Sequence, residues 1–242
     1  MQMAATTNGR VNGSALTAPE RVYADLRERI ISFELPPGTT LGRADLAKSY
    51  AVSQTPVREA LQRLEQDGLV LIYPQSKTVV AKIDVRQLSE TQFLRVAVET
   101  EVVRRLAGLG RKDVINRAQA IVDMQRTLIG MDDAMPMFMD LDRTFHRTLY
   151  EAVNMEHLHV MLLDRLGQLY RCQRLELPRE GKMQNIVDAH QTILDGLLAK
   201  DPDRACSAMR SHLSGTISRV ETLRLEHPGY FTTDEFNWHE AP

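Results

Sequence analysis

Apolar positions recur every three to four residues along most of the chain, and one short stretch breaks that rhythm. From Pro19 onward Val22, Leu26 and Ile30 fall on one stripe, which predicts a helix that Pro36-Pro37-Gly38 terminates. A short helix is expected over 43–50, then a tight Ala51-Val52 connection, then a second helix over 54–67 that Gly68 ends. Two β-like runs, 69–73 and 78–83, flank Pro74-Gln75-Ser76-Lys77. Three helices and a hairpin in about 65 residues outline a winged helix-turn-helix.

After Asp84 the strand signal disappears. Helical patterns alternate with breaks near Gly108-Leu109-Gly110, Gly130, Asn154, Pro178 and Asp201-Pro202, predicting about six helices over 86–108, 111–130, 134–153, 156–176, 182–199 and 202–226. The expected fold class is therefore mainly α: an N-terminal winged helix-turn-helix followed by an all-α bundle. The expected organisation is a disordered leader over 1–17, a DNA-binding domain over 18–83, a linker over 84–88, a helical domain over 89–226 and a loosely packed tail over 227–242.

Composition agrees with packed helices. The 242 residues are 43% hydrophobic but only 5% aromatic, so the core must come from aliphatic side chains and Met. The net charge of −2 argues against a generic nucleic-acid binder. The charge is uneven, however: residues 1–83 carry ten Lys/Arg against eight Asp/Glu, and the remainder carries twenty against twenty-four. Cys172 and Cys206 make no framework, no signal peptide is visible and no run is apolar enough for a membrane helix, so a reduced cytoplasmic setting is expected.

The most informative segment is Ser53-Gln54-Thr55-Pro56-Val57-Arg58-Glu59-Ala60-Leu61. Ser53 suits an N-cap and Pro56 falls in the first turn. Val57, Ala60, Leu61 and Leu64 form the inward stripe, while Thr55, Arg58 and Gln62 project oppositely. Such a polar face suits a major groove, although periodicity alone fits a capped surface helix as well. The segment resembles the recognition element of the GntR regulators, often Ser-Arg-Thr-Pro-Val-Arg-Glu-Ala-Leu, at eight of nine positions. The flanking Leu46-Ala47 and Leu64-Glu65-Gln66-Asp67-Gly68-Leu69-Val70 fit too. The resemblance implies that Gln54, Thr55 and Arg58 contact DNA, with Arg43 and Lys77 as weaker electrostatic contacts. Gln54 stands where an Arg is usual, and the wing lacks a glycine near Lys77-Thr78, so the resemblance implies DNA binding without fixing the operator sequence.

In the helical region Asp142 and His146 are one turn apart, on a face that also carries Phe138, Leu149 and Val153. His190 shares a stripe with Ile186, Ile193 and Leu197, and His212 a face with Ala205, Met209 and Thr216. Three inward histidines and an aspartate could converge on a divalent ion, zinc foremost, with nickel, manganese and iron as the other candidates. Hydrogen-bonded core roles explain the same spacing. The pattern is similar to the ligand set of the FCD domain of FadR-type GntR regulators, which implies Asp142, His146, His190 and His212 as ligands. Ala189 replaces the Glu usual before the third. About six helices match the VanR-like subset. The two resemblances cover about residues 19–226.

Arg95 lies among Phe93, Leu94, Val96, Ala97 and Val98, so its guanidinium should be enclosed and need an anion. An i, i+4 pair with Glu99 would satisfy it; an effector carboxylate would too, and the resemblance favours the second. His157, His159, His227 and His239 are expected on the surface, and Met131, Met135, Met137 and Met139 in the core. The expected whole is not an enzyme. It is a regulator, a repressor by resemblance, forming a homodimer on a pseudo-palindromic DNA operator and answering to a small carboxylate-bearing effector. A metalloenzyme and a metal-only sensor are the alternatives; against the enzyme, no separate general base accompanies the ligands.

Overall fold

A computed structural model describes residues 16–131 and 133–233. Residues 1–15 of the expected leader and the tail beyond 233, with His239, lie outside the described residues. Helix α1 (Ala18–Ile31) opens with Glu20 accepting hydrogen bonds from the backbone N–H and hydroxyl of Thr17. It buries Val22, Tyr23, Leu26 and Ile30 against the α3 stripe of Val57, Ala60, Leu61 and Leu64. Helices α2 (Arg43–Ser49) and α3 (Gln54–Gln66) follow as expected, and Ser53 occupies the N-cap, though its hydroxyl makes no cap bond.

Strands β2 (Val70–Ile72) and β3 (Thr78–Val80) form the hairpin, and β1 (Thr40–Leu41) completes an antiparallel sheet of order β1-β3-β2. A strand of two residues is too short to show alternation, so β1 leaves no mark on the hydrophobic pattern. Its pairing is extended by Val80 N–H donating to Thr39 O at 2.9 Å.

The expected linker is instead helix. Asp84 is the N-cap of α4 (Val85–Leu109), accepting from Gln87 N–H at 3.1 Å, so the helical domain starts without a spacer. Helices α5 (Lys112–Thr127), α6 (Met135–Ala152), α7 (Glu156–Arg165), α8 (Gly167–Glu176), α9 (Lys182–Leu198), α10 (Pro202–Ile217) and α11 (Val220–Glu226) complete an all-α bundle. Two of the six expected helices are each split, at Leu166 and at Ser218-Arg219. The described part of the tail is not loose: Phe231 is buried and bridges Ile83, and Ile83 N–H donates to Tyr230 O at 2.8 Å. Among the described residues no helix is long and apolar enough to cross a membrane.

The break at Leu166 aims α8 at the DNA-reading head. A Cβ on Gly167 would stand 2.9 Å from Leu69 Cδ2, so any side chain there would force Leu69 to shift. Gln168 Nε2 donates to Gly68 O at 2.8 Å, and Arg171 Nη2 to Ala81 O at 2.9 Å. Burial pushes the Arg171 guanidinium down to about 10. Arg27 and Arg165 reach Leu163 O and Gln66 O across the same seam.

Candidate metal centre

Three helices bring the four candidate ligands together. Helix α6 buries Phe138, Asp142, Phe145, His146 and Leu149 on one stripe. Helix α9 buries His190 between Val187 and Ile193, and α10 turns Met209, Leu213 and the half-buried His212 inward. Helices α9 and α10 pack backbone to backbone, since a Cβ on Gly196 would lie 2.8 Å from Ala205 N. The result is one ligand atom each from Asp142, His146, His190 and His212, all within 4.8 Å of one another.

The imidazoles are oriented from behind. His146 Nδ1 lies 2.6 Å from Glu99 Oε2, and His190 Nδ1 donates to Gln125 Oε1 at 2.8 Å. Placing a proton on each Nδ1 leaves the Nε2 lone pairs facing the centre. There His146 Nε2 stands 3.2 Å from His212 Nε2, and His190 Nε2 stands 3.4 Å from Asp142 Oδ1 without a hydrogen-bond partner. Phe145 stacks on His190 at 3.9 Å between ring centroids and fixes its plane. Burial first, then the neighbouring imidazoles and the Arg95 guanidinium, holds His190 and His212 well below their usual range. Neutral imidazoles, one carboxylate and an orphaned buried nitrogen together fit a divalent cation.

Arg95 is enclosed, as its apolar surroundings predict, at 4% exposure. Its Nε donates to Glu99 Oε1 at 2.6 Å, and its Nη2 comes within 3.0 Å of His146 Nε2. Burial opposes its charge, but Glu99 and Asp142 outweigh that and keep the guanidinium charged. Glu99 is also buried, and despite that burial Arg95 and His146 hold it far below the carboxylate range. Glu99 thus joins the arginine to the ligand cluster. A cavity lined by Phe138, Met139, Gln173, Leu177 and Lys182 opens beside Asp142.

Sequence reasoning missed two of these supports and misplaced two other groups. Gln125 continues the buried α5 stripe of Val114, Ala118, Ile121 and Val122, so its periodicity marked it as inward. Glu99 entered only as a partner for Arg95, not as a support for His146. His159 is buried and stacks on Tyr150 at 4.9 Å instead of lying on the surface, while His157 is exposed and His227 half-buried against Tyr230. Of the four methionines, Met139 is buried and Met135 packs on the core, but Met131 and Met137 are 56% and 60% exposed.

In the head Arg43, Gln54, Thr55, Arg58 and Lys77 are all exposed. Gln54, Thr55 and Arg58 sit on α3 away from its buried stripe, Arg43 opens α2, and Lys77 lies at the wing tip with its Nζ 5.8 Å from the Tyr73 ring centroid.

Comparison with known proteins assigns both halves. Residues 18–80 match the model of the bacterial regulatory proteins of the gntR family, and residues 90–215 match the FCD domain. An HTH-type transcriptional regulator in an unstable DNA locus of Streptomyces ambofaciens is 31% identical over 238 residues, covering 95% of this chain and 94% of that protein. The HTH-type transcriptional repressor RspR of Escherichia coli K12 is 27% identical over 218 residues, covering 89% and 94%. Among solved structures, McbR/YncC of E. coli superposes with a TM-score of 0.70 at 22% identity, covering 86% of this chain and 99% of that one, a likeness of fold. The chain belongs to the GntR family of bacterial regulatory proteins: a DNA-binding transcription regulator whose helix-turn-helix head is joined to an FCD domain.

Proposed function

We propose that this regulator is a cytoplasmic repressor and not an enzyme. As a homodimer it holds a pseudo-palindromic operator and releases it when a small carboxylate-bearing effector binds in the FCD domain. The observation that carries this reading is the buried Asp142, His146, His190 and His212 cluster with Arg95 at its edge. Asp142, His146, His190 and His212 would hold a divalent ion, zinc foremost, and a bound ion would supply Lewis-acid affinity for a carboxylate. Arg95 would donate to that carboxylate in the planar, bidentate manner that suits a guanidinium. Glu99 keeps the Arg95 charge compensated and the His146 ring oriented.

On the DNA side, Arg58 is the residue able to pair with a guanine edge or grip a phosphate, with Gln54 and Thr55 beside it. Arg43 and Lys77 would meet backbone phosphates. Helix α8 supports a coupling route, because it packs against α4 and α10, which carry Arg95 and His212, and touches Gly68 and Leu69 at the end of the recognition helix. An effector that fits one placement of α8 better than another would shift the head by that difference in affinity alone.

Selection of genomic DNA fragments by the purified, zinc-loaded protein tests the reading. An enriched palindrome that Arg58→Ala fails to select is expected, together with metal content that falls in Asp142→Ala. Absence of enrichment would overturn the operator reading. Unchanged metal content in Asp142→Ala would remove the ligand set. Calorimetry with organic acids on zinc-loaded and zinc-free protein separates an acid effector from a metal-only signal, and a turnover assay on the same acids tests the enzyme alternative.

A further inference from the structure

Helix α4 turns Leu88, Arg95, Val102 and Leu106 into the bundle and leaves its opposite face uncovered. Arg86, Glu90, Phe93, Ala97, Glu101 and Arg104 fall within about 40° of one line along that face at 3.6 residues per turn. All are exposed save Glu101, which is half-buried and accepts hydrogen bonds from Arg104 and Arg105. Phe93 is 62% exposed and the adjacent Leu94 44%, so two large apolar side chains stand in water side by side. Beside them a groove of about 420 Å³ runs between α4 and α10, lined by Val96, Ala97, Thr100, Arg104, Cys206 and Arg210. Neither Glu90 nor Arg210 makes a hydrogen bond or ion pair with any described residue.

We propose that two copies of the chain dimerise on this face, with their α4 helices antiparallel about a twofold axis at Ala97 and Phe93 of each copy seated in the groove of the other. The proposal rests on the homodimer reading above and specifies its interface. A twofold axis makes residues equally far before and after Ala97 oppose one another. Glu90 and Arg104 are each seven positions from it, so the unpaired carboxylate meets the partner's Arg104, with the partner's Arg210 in the same groove. Phe93 and Glu101 are each four away, which sets the phenyl ring against the partner's 100–104 segment, the α4 wall of that groove. The parallel alignment would instead set Glu90 against Glu90 and Arg104 against Arg104, so charge complementarity selects the antiparallel one. Ala97 has the smallest side chain on the line and lets the two helix axes approach to about 8 Å.

The same pairing suits the DNA-reading heads. Helix α4 starts at Val85 directly after the head, twelve residues before Ala97. At 1.5 Å per residue the two starts then lie about 36 Å apart along the helix axes. Half-sites one turn of DNA apart are separated by about 34–36 Å. The interface therefore supplies the separation that a pseudo-palindrome requires.

Analytical ultracentrifugation and disulfide trapping of the full-length protein test the pairing. Wild type is expected to be a dimer at micromolar concentration. Ala97→Glu, which brings two carboxylates together at the axis, should raise the dimer dissociation constant roughly thirtyfold or more with the melting temperature unchanged. In a Cys206→Ser background, Ala97→Cys should form an interchain disulfide under diamide, because its two copies meet at the axis. Arg86→Cys should not, because antiparallel helices hold its two copies about 33 Å apart. An Ala97→Glu protein that stays dimeric, an Ala97→Cys protein that fails to cross-link, or equal cross-linking through Arg86→Cys would each overturn this interface while leaving the homodimer reading standing on another face. Should Ala97→Glu fail to fold, the cysteine pair decides alone, since both positions are exposed. A monomeric wild type would overturn the interface and the homodimer reading together.

Discussion

In the DNA-reading head the buried side chains are almost all apolar, with Asp67 and Thr78 the charged or polar exceptions among its described residues. Asp67 accepts from the Tyr23 hydroxyl at 2.6 Å, and burial with that contact pushes the tyrosine up to about 12. The helical domain buries Arg95, Glu99, Gln125, Asp142, His146, His159, Gln168, Arg171, Glu176 and His190. The head keeps Arg43, Arg58 and Lys77 in solvent, where a phosphate could reach them and salt can screen them. The helical domain places its charges where water cannot help, so each must find a protein partner or a ligand. A surface of exposed cations and an interior of paired buried charges leave different traces in burial.

The largest effect expected from breaking this contrast is in the interior. Glu99→Gln should leave the Arg95 guanidinium buried beside a neutral amide, at a cost of about 3–5 kcal/mol in unfolding free energy. It should also weaken zinc binding about 10–100-fold through loss of support for His146. Urea denaturation and a competition assay with a metal chelator read the two effects separately. In the head Arg58→Ala should cost about 1–3 kcal/mol of operator binding per half-site while stability and zinc content hold. A gel-shift titration measures it, and a drop in melting temperature would show that Arg58 belongs to the fold.

The metal-free protein should also report its interior through pH. His190 and His212 are held neutral by burial and by their cationic neighbours, whereas the unfolded chain protonates them near the ordinary 6.5. Their contribution is therefore fully present above 6.5 and is lost as pH falls below it, by up to about 1.4 kcal/mol per pH unit for each proton taken up. Urea midpoints at pH 7.5 and 5.5 check this, and bound zinc should delay the loss. The smallest effect belongs to the wing: Lys77→Ala should weaken operators of all sequences alike and lower the salt dependence by about one counterion. Sequence-selective weakening would instead place Lys77 in a groove.

The head was legible because its signals are local. The N-cap at Ser53, the stripe of Val57, Ala60, Leu61 and Leu64, and the stop at Gly68 each act within a few residues, whereas β1 and the capping box at Thr17, a residue the sequence pattern puts in the leader, escaped. In the helical domain the helices were equally legible but their junctions were not. Nothing around Leu166 breaks periodicity; the helix is interrupted where Gly167 meets Leu69 of a distant segment. Periodicity placed Asp142, His146, His190 and His212 inward, yet their convergence is tertiary, and the ligand set came from resemblance. Periodicity marks Gln125 as inward, but nothing local marks it as the support of His190. Met131 and Met137 show the reverse error, since unbranched apolar residues read as core wherever they fall.

One measurement bears most directly on the claim that the buried cluster governs the DNA-reading surface. On an operator fragment enriched by wild type, DNA affinity is measured with zinc and each organic acid for wild type and His190→Ala. His190→Ala is expected to bind the operator without acid as wild type does, to have lost its zinc, and to stay bound when the acid that releases wild type is added. Release of both proteins by the same acid at the same concentration would contradict it.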